Sequence, residues 1–374
     1  MEYVRLGDYV NIKTGKLDAN AATNDGLYPF FTCSKEISRI DKYSYDTECV
    51  LVAGNGDLNV KYYNGKFDAY QRTYIIENNQ DSLFYVKYIY YFMCRYIYEL
   101  KKQTVGGIIK FIKLGNLTEA RIPLLSKKEQ LNVISLFEKI NCILESKTRE
   151  LTDLDTLIKS QFIEMFGNPI TNEKKYSVLK LKNISEKITN GNTPHGGDKN
   201  YVEKGIIFIR SQNVLRNKID LSDVVYIDES TNNSIKDSML KSGDILITKT
   251  GRINTENSSL GRPAIFEGED YSANLNGHVY LIRLNDRFNK KFVLYTLLQD
   301  EYREYIRSVC VGGIDKRQIN KNHVEDFPIL VAPRPLQDQF AAIVEQIDKS
   351  KSILQKQIDF LQELLDSKMQ EYFG

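Results

Sequence analysis

The sequence predicts an α/β (α+β) protein with two globular mixed α/β blocks, each followed by one long helix. Three observations support this class. Strand-like runs occur together with helical patterns in residues 1–125 and again in residues 171–333. Two long apolar stripes of helical period occupy residues 126–170 and 334–374. Short motifs recur in the same order in the two halves, which indicates an internal duplication.

Composition is that of an ordinary folded protein, with 42% hydrophobic and 27% charged residues among 374. The first residues lack the charged start and apolar run of a signal peptide. The best membrane candidate, Phe84–Tyr98, contains Lys87 and Arg95 and is shorter than the ~20 residues of a spanning helix. Five scattered cysteines argue against a disulfide framework or a zinc site and fit a reducing compartment, so we expect a cytoplasmic protein.

The duplication is clearest around the two long helical stripes. Gln130 and Gln337 stand near their starts and Gly167 and Gly374 at their ends, and both separations, 130 to 337 and 167 to 374, are 207 residues. Chance similarity of two amphipathic helices could explain these pairs alone, but it does not explain shared glycine and proline positions outside them. Further pairs are Val105–Ile108 with Val311–Ile314, Lys110 with Lys316, Ile122-Pro123 with Phe327-Pro328, and Val50–Val52 with Ile245–Ile247.

Each stripe has the heptad spacing of a coiled coil. In the first, about Lys127–Met165, the apolar positions are Phe137, Leu144, Leu151, Ile158 and Met165, with Ile140 and Leu154 three residues on and Lys147 and Gln161 interrupting. In the second, about Leu336–Tyr372, they are Val344, Ile358, Leu365 and Tyr372, with Ile347, Leu354 and Leu361, and with Lys351 and Lys368 interrupting. Each stripe needs a partner, and the simplest partner is the other copy. An ordinary helical hairpin inside one domain is the alternative.

Several strands and one helix can be placed inside the blocks. We expect strands at Cys49–Ala53, Leu58–Tyr63 and Phe67–Ile76 in the first block, and at Ile206–Arg210, Ile245–Lys249 and Val279–Leu284 in the second. Asn64-Gly65 between two alternating runs predicts a hairpin turn. Tyr85–Tyr98 has a helical period, and its aromatic stripe is more typical of a core than of a base-stacking surface.

Polar loops after the strands are the best candidates for a binding surface. A net charge of +2 does not indicate nucleic acid, so phosphate contacts must come from local clusters. Arg, Gln and Asn side chains can bond base edges, whereas Lys, Thr and backbone N–H groups suit phosphates. Solvated turns are the alternative interpretation. The candidate DNA-contacting residues are Asn55, Lys61, Arg72, Lys102, Gly106, Gly107, Lys110, Arg210, Gln212, Asn213, Lys249, Thr250, Arg252, Asn254, Gly312, Gly313, Lys316 and Arg317.

Motifs for catalysis are missing from the sequence. Asn168-Pro169-Ile170 lacks the second proline and the aromatic residue of an adenine methyltransferase motif, and Gly54-Asn55-Gly56 lacks a third glycine for a dinucleotide fingerprint. There is no Walker loop and no Gly-x-Ser-x-Gly. Glu145-Ser146-Lys147 lies within the first helical stripe, where surface charge is the better explanation. The histidines at 195, 278 and 323 lack metal-ligand spacing, and only His195, in a Pro-His-Gly-Gly loop, is of interest.

The ordered set of motifs resembles the specificity subunits of type I restriction-modification systems over essentially the whole chain. The residues that carry the resemblance are Gly26–Phe31, Tyr70–Tyr74, Gly106–Ile108, the helix starts at Lys128–Gln130 and Pro335–Gln337, and Phe166–Pro169. One departure is Pro123–Gln130, which lacks the second proline that Pro333 and Pro335 supply in the other half. This departure affects only the local turn.

The resemblance implies a fold and a function. Residues 1–125 and 171–333 would be target recognition domains, and residues 126–170 and 334–374 would form an antiparallel coiled-coil spacer with internal pseudo-two-fold symmetry. Each domain would read one half of a split, asymmetric site on double-stranded DNA. Two methyltransferase subunits and two restriction (motor) subunits would bind and supply the chemistry of S-adenosylmethionine, ATP and Mg²⁺. The chain itself would be non-catalytic, without cofactor or metal.

Two alternatives of other classes remain open at this point. One is a stand-alone DNA methyltransferase or nuclease with built-in recognition domains, which requires motifs that the sequence lacks. The other is a structural adaptor with a coiled coil and no DNA role. Methylation by the chain alone would favour the first, and absence of DNA binding in a complex with a methyltransferase would favour the second.

Overall fold

The computed structural model describes residues 2–105 and 110–374, and these fall into two units. The first unit comprises the chain up to Glu150 together with Ile353–Gly374, and the second comprises Leu151–Ser352. Within the described ranges, no helix combines the length and the apolar character needed to cross a membrane. Gly106 and Gly107, two of the candidate contact residues, lie outside the described residues.

The first unit consists of eight described strands and the helices that cover them. The strands are β1 (Tyr3–Arg5), β2 (Val10–Thr14), β3 (Tyr28–Phe31), β4 (Ser38–Ile40), β5 (Tyr45–Ala53), β6 (Val60–Ala69), β7 (Thr73–Asn78) and β8 (Arg121–Pro123). The helices are α1 (Val86–Gln103), α2 (Leu114–Thr118) and the first part of α3 (Lys127–Phe166).

Six of these strands form one sheet in the order β2-β7-β5-β6-β3-β4, while β1 pairs with β8. All its pairs are antiparallel except β3 with β6, where Phe30 lies beside Asp68. The predicted helix over Tyr85–Tyr98 is confirmed as α1, whose Tyr88, Ile89 and Phe92 are buried in the core. Most of the predicted stripe is therefore core, whereas Tyr85, which precedes the helix, is exposed and Tyr96 is half-buried.

The predicted hairpin at Asn64-Gly65 is wrong. Strand β6 runs straight through both residues, which pair with Glu48 and Thr47 of β5. The chain reverses earlier, between Ala53 and Val60, and Gly65 accommodates the strand with a φ of 133° that favours glycine. The preference of Asn-Gly for a turn is overcome by strand pairing, because β5, at nine residues, is long enough to pair with β6 on both sides of Gly65.

The second unit has more and shorter elements. Its strands are β9 (Val178–Lys180), β10 (Ser185–Asn190), β11 (Tyr201–Val202), β12 (Ile206–Ile209), β13 (Val214–Leu215), β14 (Lys218–Ile219), β15 (Val225–Ile227), β16 (Ile245–Thr248), β17 (Thr250–Arg252), β18 (Pro263–Ile265), β19 (Ala273–Leu275), β20 (Val279–Leu284), β21 (Val311–Gly312), β22 (Lys316–Gln318) and β23 (Pro328–Leu330). Its helices are α4 (Glu229–Ser234), α5 (Lys290–Leu298), α6 (Asp300–Val309), α7 (Lys321–Glu325) and the first part of α8 (Arg334–Phe373).

The strands of the second unit form several small sheets. Two have four strands, in the orders β10-β20-β16-β18 and β11-β15-β12-β19, and one has three, β17-β22-β21. The three strands predicted for this block are confirmed as β12, β16 and β20. The parallel pair of the first unit recurs here between β12 and β19, where Phe208 lies beside Asn274.

Both long helices are continuous over 40 residues, close to the predicted bounds. Helix α3 begins at a capping box in which Ser126 donates its backbone N–H and its hydroxyl to the Glu129 carboxylate, at 2.8 and 2.6 Å. These two bonds lower the pKa of Glu129. The predicted glycine ends are also present, since Gly167 and Gly374 take φ values of 75° and 90°.

In each unit the end of one long helix packs against the start of the other. In the first unit the Phe373 ring lies 6.1 Å from Phe137, and in the second Phe162 lies 5.4 Å from Phe340. Asp155 and Lys351 form an ion pair further along the same two segments of the second unit. Phe162 contacts Phe340, and Asp155, earlier in α3, contacts Lys351, later in α8. The two segments therefore run in opposite directions.

The predicted heptad positions are buried or half-buried along both helices, including Lys147, Lys351 and Lys368, which were expected to interrupt the stripes. Lys351 remains compatible with the stripe because its ammonium group is neutralised by Asp155. The stripes omitted the aromatic residues that are most deeply buried at the helix ends, namely Phe162, Phe166, Phe340 and Phe373. Phe162 and Phe166 follow Ile158 at four-residue steps, which a strict seven-residue pattern passes over.

Candidate nucleic-acid interface

Several candidate residues of the second unit converge on one small sheet. In β17-β22-β21, Gly251 lies beside Arg317, and Arg317 lies beside Gly312. Folding thus joins segments about 60 residues apart in sequence into one surface. Arg252 reaches the Asp315 carboxylate at 3.3 Å, and the Arg317 guanidinium donates to the Gly313 carbonyl at 3.2 Å. Lys316 is exposed and makes no ion pair within the described ranges.

The first unit repeats this arrangement with different side chains. Asn55 forms a bridge with Phe111, and Val105 forms a bridge with the same residue. In the second unit Thr250 and Val311 flank Gln318 in the same way. By this register Asn55 corresponds to Thr250, and Lys110 corresponds to Arg317. The sequence comparison had paired Lys110 with Lys316, one residue away, because a chain alignment by spacing does not see the strand register.

A second loop contributes to both surfaces. The backbone N–H of Gly54 donates to the Arg72 carbonyl at 2.8 Å, and that of Lys249 donates to the His278 carbonyl, also at 2.8 Å. His278 is therefore the counterpart of Arg72, and both are exposed. Sequence reasoning missed His278 as a contact candidate because the flanking residues of the two loops share no motif. The only available signal was the position of each loop just before a strand, β7 or β20.

Two glycines hold these loops in equivalent positions. A Cβ on Gly15 would lie 2.0 Å from the Ala69 carbonyl oxygen, and one on Gly191 would lie 2.3 Å from that of Leu275. Each glycine N–H also donates to the residue that follows its loop, to Thr73 at 3.1 Å and to Val279 at 2.9 Å. Close backbone approach at these points requires glycine.

Three candidates in the second unit are engaged in internal bonds. Asn213 is buried, and its amide donates to the carbonyls of Asp220 and Asp223, both at 3.0 Å. Arg210 and Gln212 both donate to the Asp223 carboxylate, at 3.1 and 2.8 Å. Asn213 is thus placed to shape the loop rather than to face a ligand. For the other two, a DNA contact through the same donors requires exchanging Asp223 for it.

The remaining candidates differ in how free their side chains are. Lys61 is half-buried, its ammonium donates to the Ser34 carbonyl at 2.6 Å, and burial lowers its pKa. Lys102 pairs with Glu99 at 2.7 Å on the surface of α1. Lys249 lies over the Tyr280 ring at 5.8 Å, and Asn254 is exposed. Arg72 lines a cleft of about 300 Å³ together with Gln71 and Tyr74.

No metal-binding group of three or more His, Cys, Asp or Glu side chains occurs within the described ranges. His195 is exposed in its glycine-rich loop, where its carbonyl accepts a bond from Asn200 at 2.9 Å. This bond involves the His195 backbone and stabilises the loop, and it does not involve the imidazole ring.

A match to a protein-family model identifies the family of the chain. The family model described as the type I restriction modification DNA specificity domain matches residues 1–159 and again residues 173–363. The chain belongs to this family. Each matched stretch of the specificity family contains one complete copy of the strand-and-loop surface described above.

Curated relatives are named as type I restriction enzyme specificity subunits. The chain is 38% identical over 156 residues to the type I restriction enzyme EcoDI specificity subunit of Escherichia coli, covering 42% of this chain and 34% of that protein. It is 26% identical over 199 residues to the putative type I restriction enzyme MjaX specificity subunit of Methanocaldococcus jannaschii, covering 53% and 45%. The chain therefore spans about a third to a half of the length of these two relatives.

Solved structures of the specificity family share the fold. A type I restriction-modification S subunit from M. genitalium superposes with a TM-score of 0.60 at 17% identity, covering 100% of this chain and 96% of that one. A chain from a structure of complex assembly and conformational transition in the type I R-M system superposes with a TM-score of 0.57 at 13% identity, covering 100% and 97%.

Proposed function

We propose that this chain is the DNA sequence-specificity subunit of a type I restriction-modification complex and that it binds a bipartite, asymmetric DNA site. One observation carries the proposal. Both units present the same strand-and-loop surface, but its exposed and half-buried side chains differ, with Asn55, Lys110 and Arg72 in one and Thr250, Arg317 and His278 in the other. One scaffold with two different faces suits the reading of two different half-sites.

The chemistry of these faces suits DNA. Exposed Lys and Arg side chains can neutralise phosphates, and Arg or Asn can form paired bonds with guanine or adenine edges. We propose that the contacts come from the candidate residues whose side chains are exposed or can exchange an internal partner for DNA. Asn213 would instead hold the shape of its loop through its bonds to the Asp220 and Asp223 carbonyls. Arg210 and Gln212 would release Asp223 on binding, which makes Asp223 a built-in competitor for the same donors.

The catalytic steps would belong to partner subunits. We propose that two methyltransferase subunits bind the chain and transfer methyl groups from S-adenosylmethionine, and that two restriction subunits add ATP- and Mg²⁺-dependent translocation and cleavage. Helices α3 and α8 would act as the spacer that sets the distance between the two half-sites. A duplicated chain mimics the two-fold axis of a dimeric reader, whose half-sites lie about 34–36 Å apart.

The test is methylation by a reconstituted complex. The chain and a methyltransferase subunit of the same system are expressed in a methylation-free host, and methylated adenines are mapped across the genome. We expect a two-part motif with a constant gap. Arg72→Ala in the first unit and Lys316→Ala in the second should each lower methylation of that motif, whereas the exposed controls Lys42→Ala and Lys204→Ala should not.

The alternatives give different results in the same system. If the chain without a partner methylated DNA, it would be a stand-alone methyltransferase. If the complex formed but methylated no defined sequence and bound no DNA, an adaptor role would replace the proposal.

A further inference from the structure

A cleft in the second unit contains three arginines. It has a volume of about 360 Å³ and is lined by Arg216, Arg262 and Arg303. We call it the arginine cleft. Residues 256–258 and 260–262 of the loop that follows β17 line it, together with Leu297 of α5 and Arg303 of α6.

Backbone carbonyls hold the three guanidinium groups in place. Arg262 donates from Nε to the Ser258 carbonyl at 2.9 Å and from Nη2 to that of Asn257. Arg303 donates to the Glu256 carbonyl, and Arg216 donates to the Leu298 carbonyl and to the Asp300 carboxylate at 2.8 Å. A guanidinium group has five N–H donors, so donors remain on Arg262 and Arg303.

The charges of these groups are poorly balanced. Asp300 neutralises Arg216, but no carboxylate within the described ranges lies within ion-pair distance of Arg262 or Arg303. Burial lowers the pKa of Arg262. Burial together with the charges of Arg307 and Arg216 lowers the pKa of Arg303, and the charges of Glu304 and Asp300 offset this only in part. Crowded, partly desolvated cations are costly, and an anion that accepts their free N–H groups would offset that cost.

We propose that the arginine cleft binds a phosphate group, with Arg262 and Arg303 as its main donors. Guanidinium groups match the geometry of phosphate oxygens better than ammonium groups do. Among the described residues that line the cleft, Glu256 is the one carboxylate, and its charge opposes an anion there. Replacing it with glutamine should therefore tighten binding.

The position of the cleft indicates a DNA phosphodiester as the source. Its loop continues directly from β17, and two bonds tie the loop to that strand, from Ser259 Oγ to the Thr250 carbonyl at 2.8 Å and from Thr255 Oγ1 to the Arg252 carbonyl at 3.4 Å. A duplex on the proposed interface would thus have its backbone held beside the bases that are read. This assignment of source rests on the proposed function, whereas the phosphate chemistry of the cleft does not.

The experiment has two arms, both with the full chain. In the first, DNA affinity of the complex with the methyltransferase subunit is measured between 50 and 200 mM salt. Arg262→Gln/Arg303→Gln should weaken binding equally on cognate and non-cognate duplexes and reduce the slope of log K against log[salt] by about 0.9, the value for one phosphate. Lys204→Gln should leave the slope unchanged, and Arg303→Lys should restore it only in part.

In the second arm, inorganic phosphate is titrated into the free chain at constant ionic strength, and thermal unfolding is followed. We expect the wild type and Glu256→Gln to be stabilised and the double arginine variant not to be. Stabilisation by phosphate with an unchanged DNA slope would support the phosphate site and overturn its DNA source. No effect of the double variant in either arm would overturn the proposal as a whole. Failure of the wild-type complex to bind DNA would instead contradict the proposed function.

Discussion

At the scale of single residues, a buried ion pair joins two parts of the second unit. Arg283 of β20 donates from Nε and Nη2 to the two carboxylate oxygens of Asp244, at 2.8 and 2.6 Å. Only 2% of the Asp244 side chain is exposed, and the shared hydrogen bond raises the pKa of Arg283. Asp244 also precedes β16, so the pair fixes the start of a central strand against its neighbour.

We predict that Arg283→Met destabilises the second unit by about 3–5 kcal/mol, because it leaves the Asp244 carboxylate buried without its charged partner, with only the Lys241 N–H among the described residues still donating to it. Urea unfolding monitored by circular dichroism measures the change. The double variant Asp244→Leu/Arg283→Met should recover most of the loss, since no charge then remains buried. A single variant within 1 kcal/mol of the wild type would contradict this account.

The sequence predicted where the polar loops lie but not which of their side chains are free. Arg210, Gln212 and Asn213 were equivalent as candidates until folding brought Asp223 within hydrogen-bond distance of all three. That partner lies ten residues or more along the chain, and neither composition nor spacing indicates it. Residue-level roles in such loops depend on hydrogen-bond partners that only the folded backbone selects.

At the scale of elements, a glutamine anchors each long helix to its block. Gln130 accepts from the Tyr85 N–H at 3.0 Å and donates to the carbonyls of Leu83 and Leu125 at 3.0 and 2.9 Å. Gln337 accepts from the Asn289 N–H at 2.9 Å and donates to the Ala332 carbonyl at 2.8 Å. The duplicated glutamines that revealed the repeat are therefore buried side chains that hydrogen-bond the start of each long helix to the loop beside it.

We expect Gln130→Met and Gln337→Met to lower the stability of their own units by about 2–4 kcal/mol, because each leaves two or three buried backbone groups without partners. Gln355→Met is the matched control, since its exposed amide bonds, among the residues that the structure describes, only to Asp359 one turn along the helix. Hydrogen exchange separates the two units, and uniform loss of protection in both would speak against local anchoring.

The aromatic ends of the helices account for their pairing within each unit. The Phe373 ring packs against Tyr88, Phe92 and Phe137, at 5.3, 5.9 and 6.1 Å between centroids. Phe166 packs in the same manner against Phe292 and Phe340, at 4.7 and 5.6 Å. These contacts hold the end of one helix onto the block that carries the start of the other.

Removing one of these rings should weaken the packing of the helix end against its unit. We predict that Phe373→Ala destabilises the first unit by about 3–5 kcal/mol, the usual cost of emptying a buried phenylalanine site. Phe360→Ala on the same helix should have little effect, because that ring is 63% exposed. Thermal unfolding of both variants provides the comparison, and equal melting temperatures would refute the role of Phe373.

The elements themselves were largely predictable from the sequence. Helical period, glycine ends and apolar runs located both long helices and most of the strands that were proposed. The Asn64-Gly65 turn failed because a local preference of about 1 kcal/mol competes with the pairing of a whole strand. The aromatic helix ends were missed because their contacts lie outside the seven-residue pattern.

At the scale of the whole molecule, the chain contains the same arrangement of strands, loops and a long helix twice. The duplication and its helices could be predicted from spacing, and the family from the resemblance of the ordered motifs to a known family. The correspondence of Arg72 with His278, or of Lys110 with Arg317, could not, because the two faces share backbone bonds rather than residues. We propose that this divergence on a fixed scaffold is what allows one chain to read an asymmetric site.

The proposed spacer gives the most direct test of this account. One heptad is inserted into each long helix at the junction of the units, after Glu150 and after Ser352, and methylated adenines are mapped for the wild type and the variant. One heptad adds about 10 Å of helix, and B-DNA rises about 3.4 Å per base pair. We predict the same two half-sites with a gap longer by about three base pairs. Half-sites that keep their original gap would contradict the account.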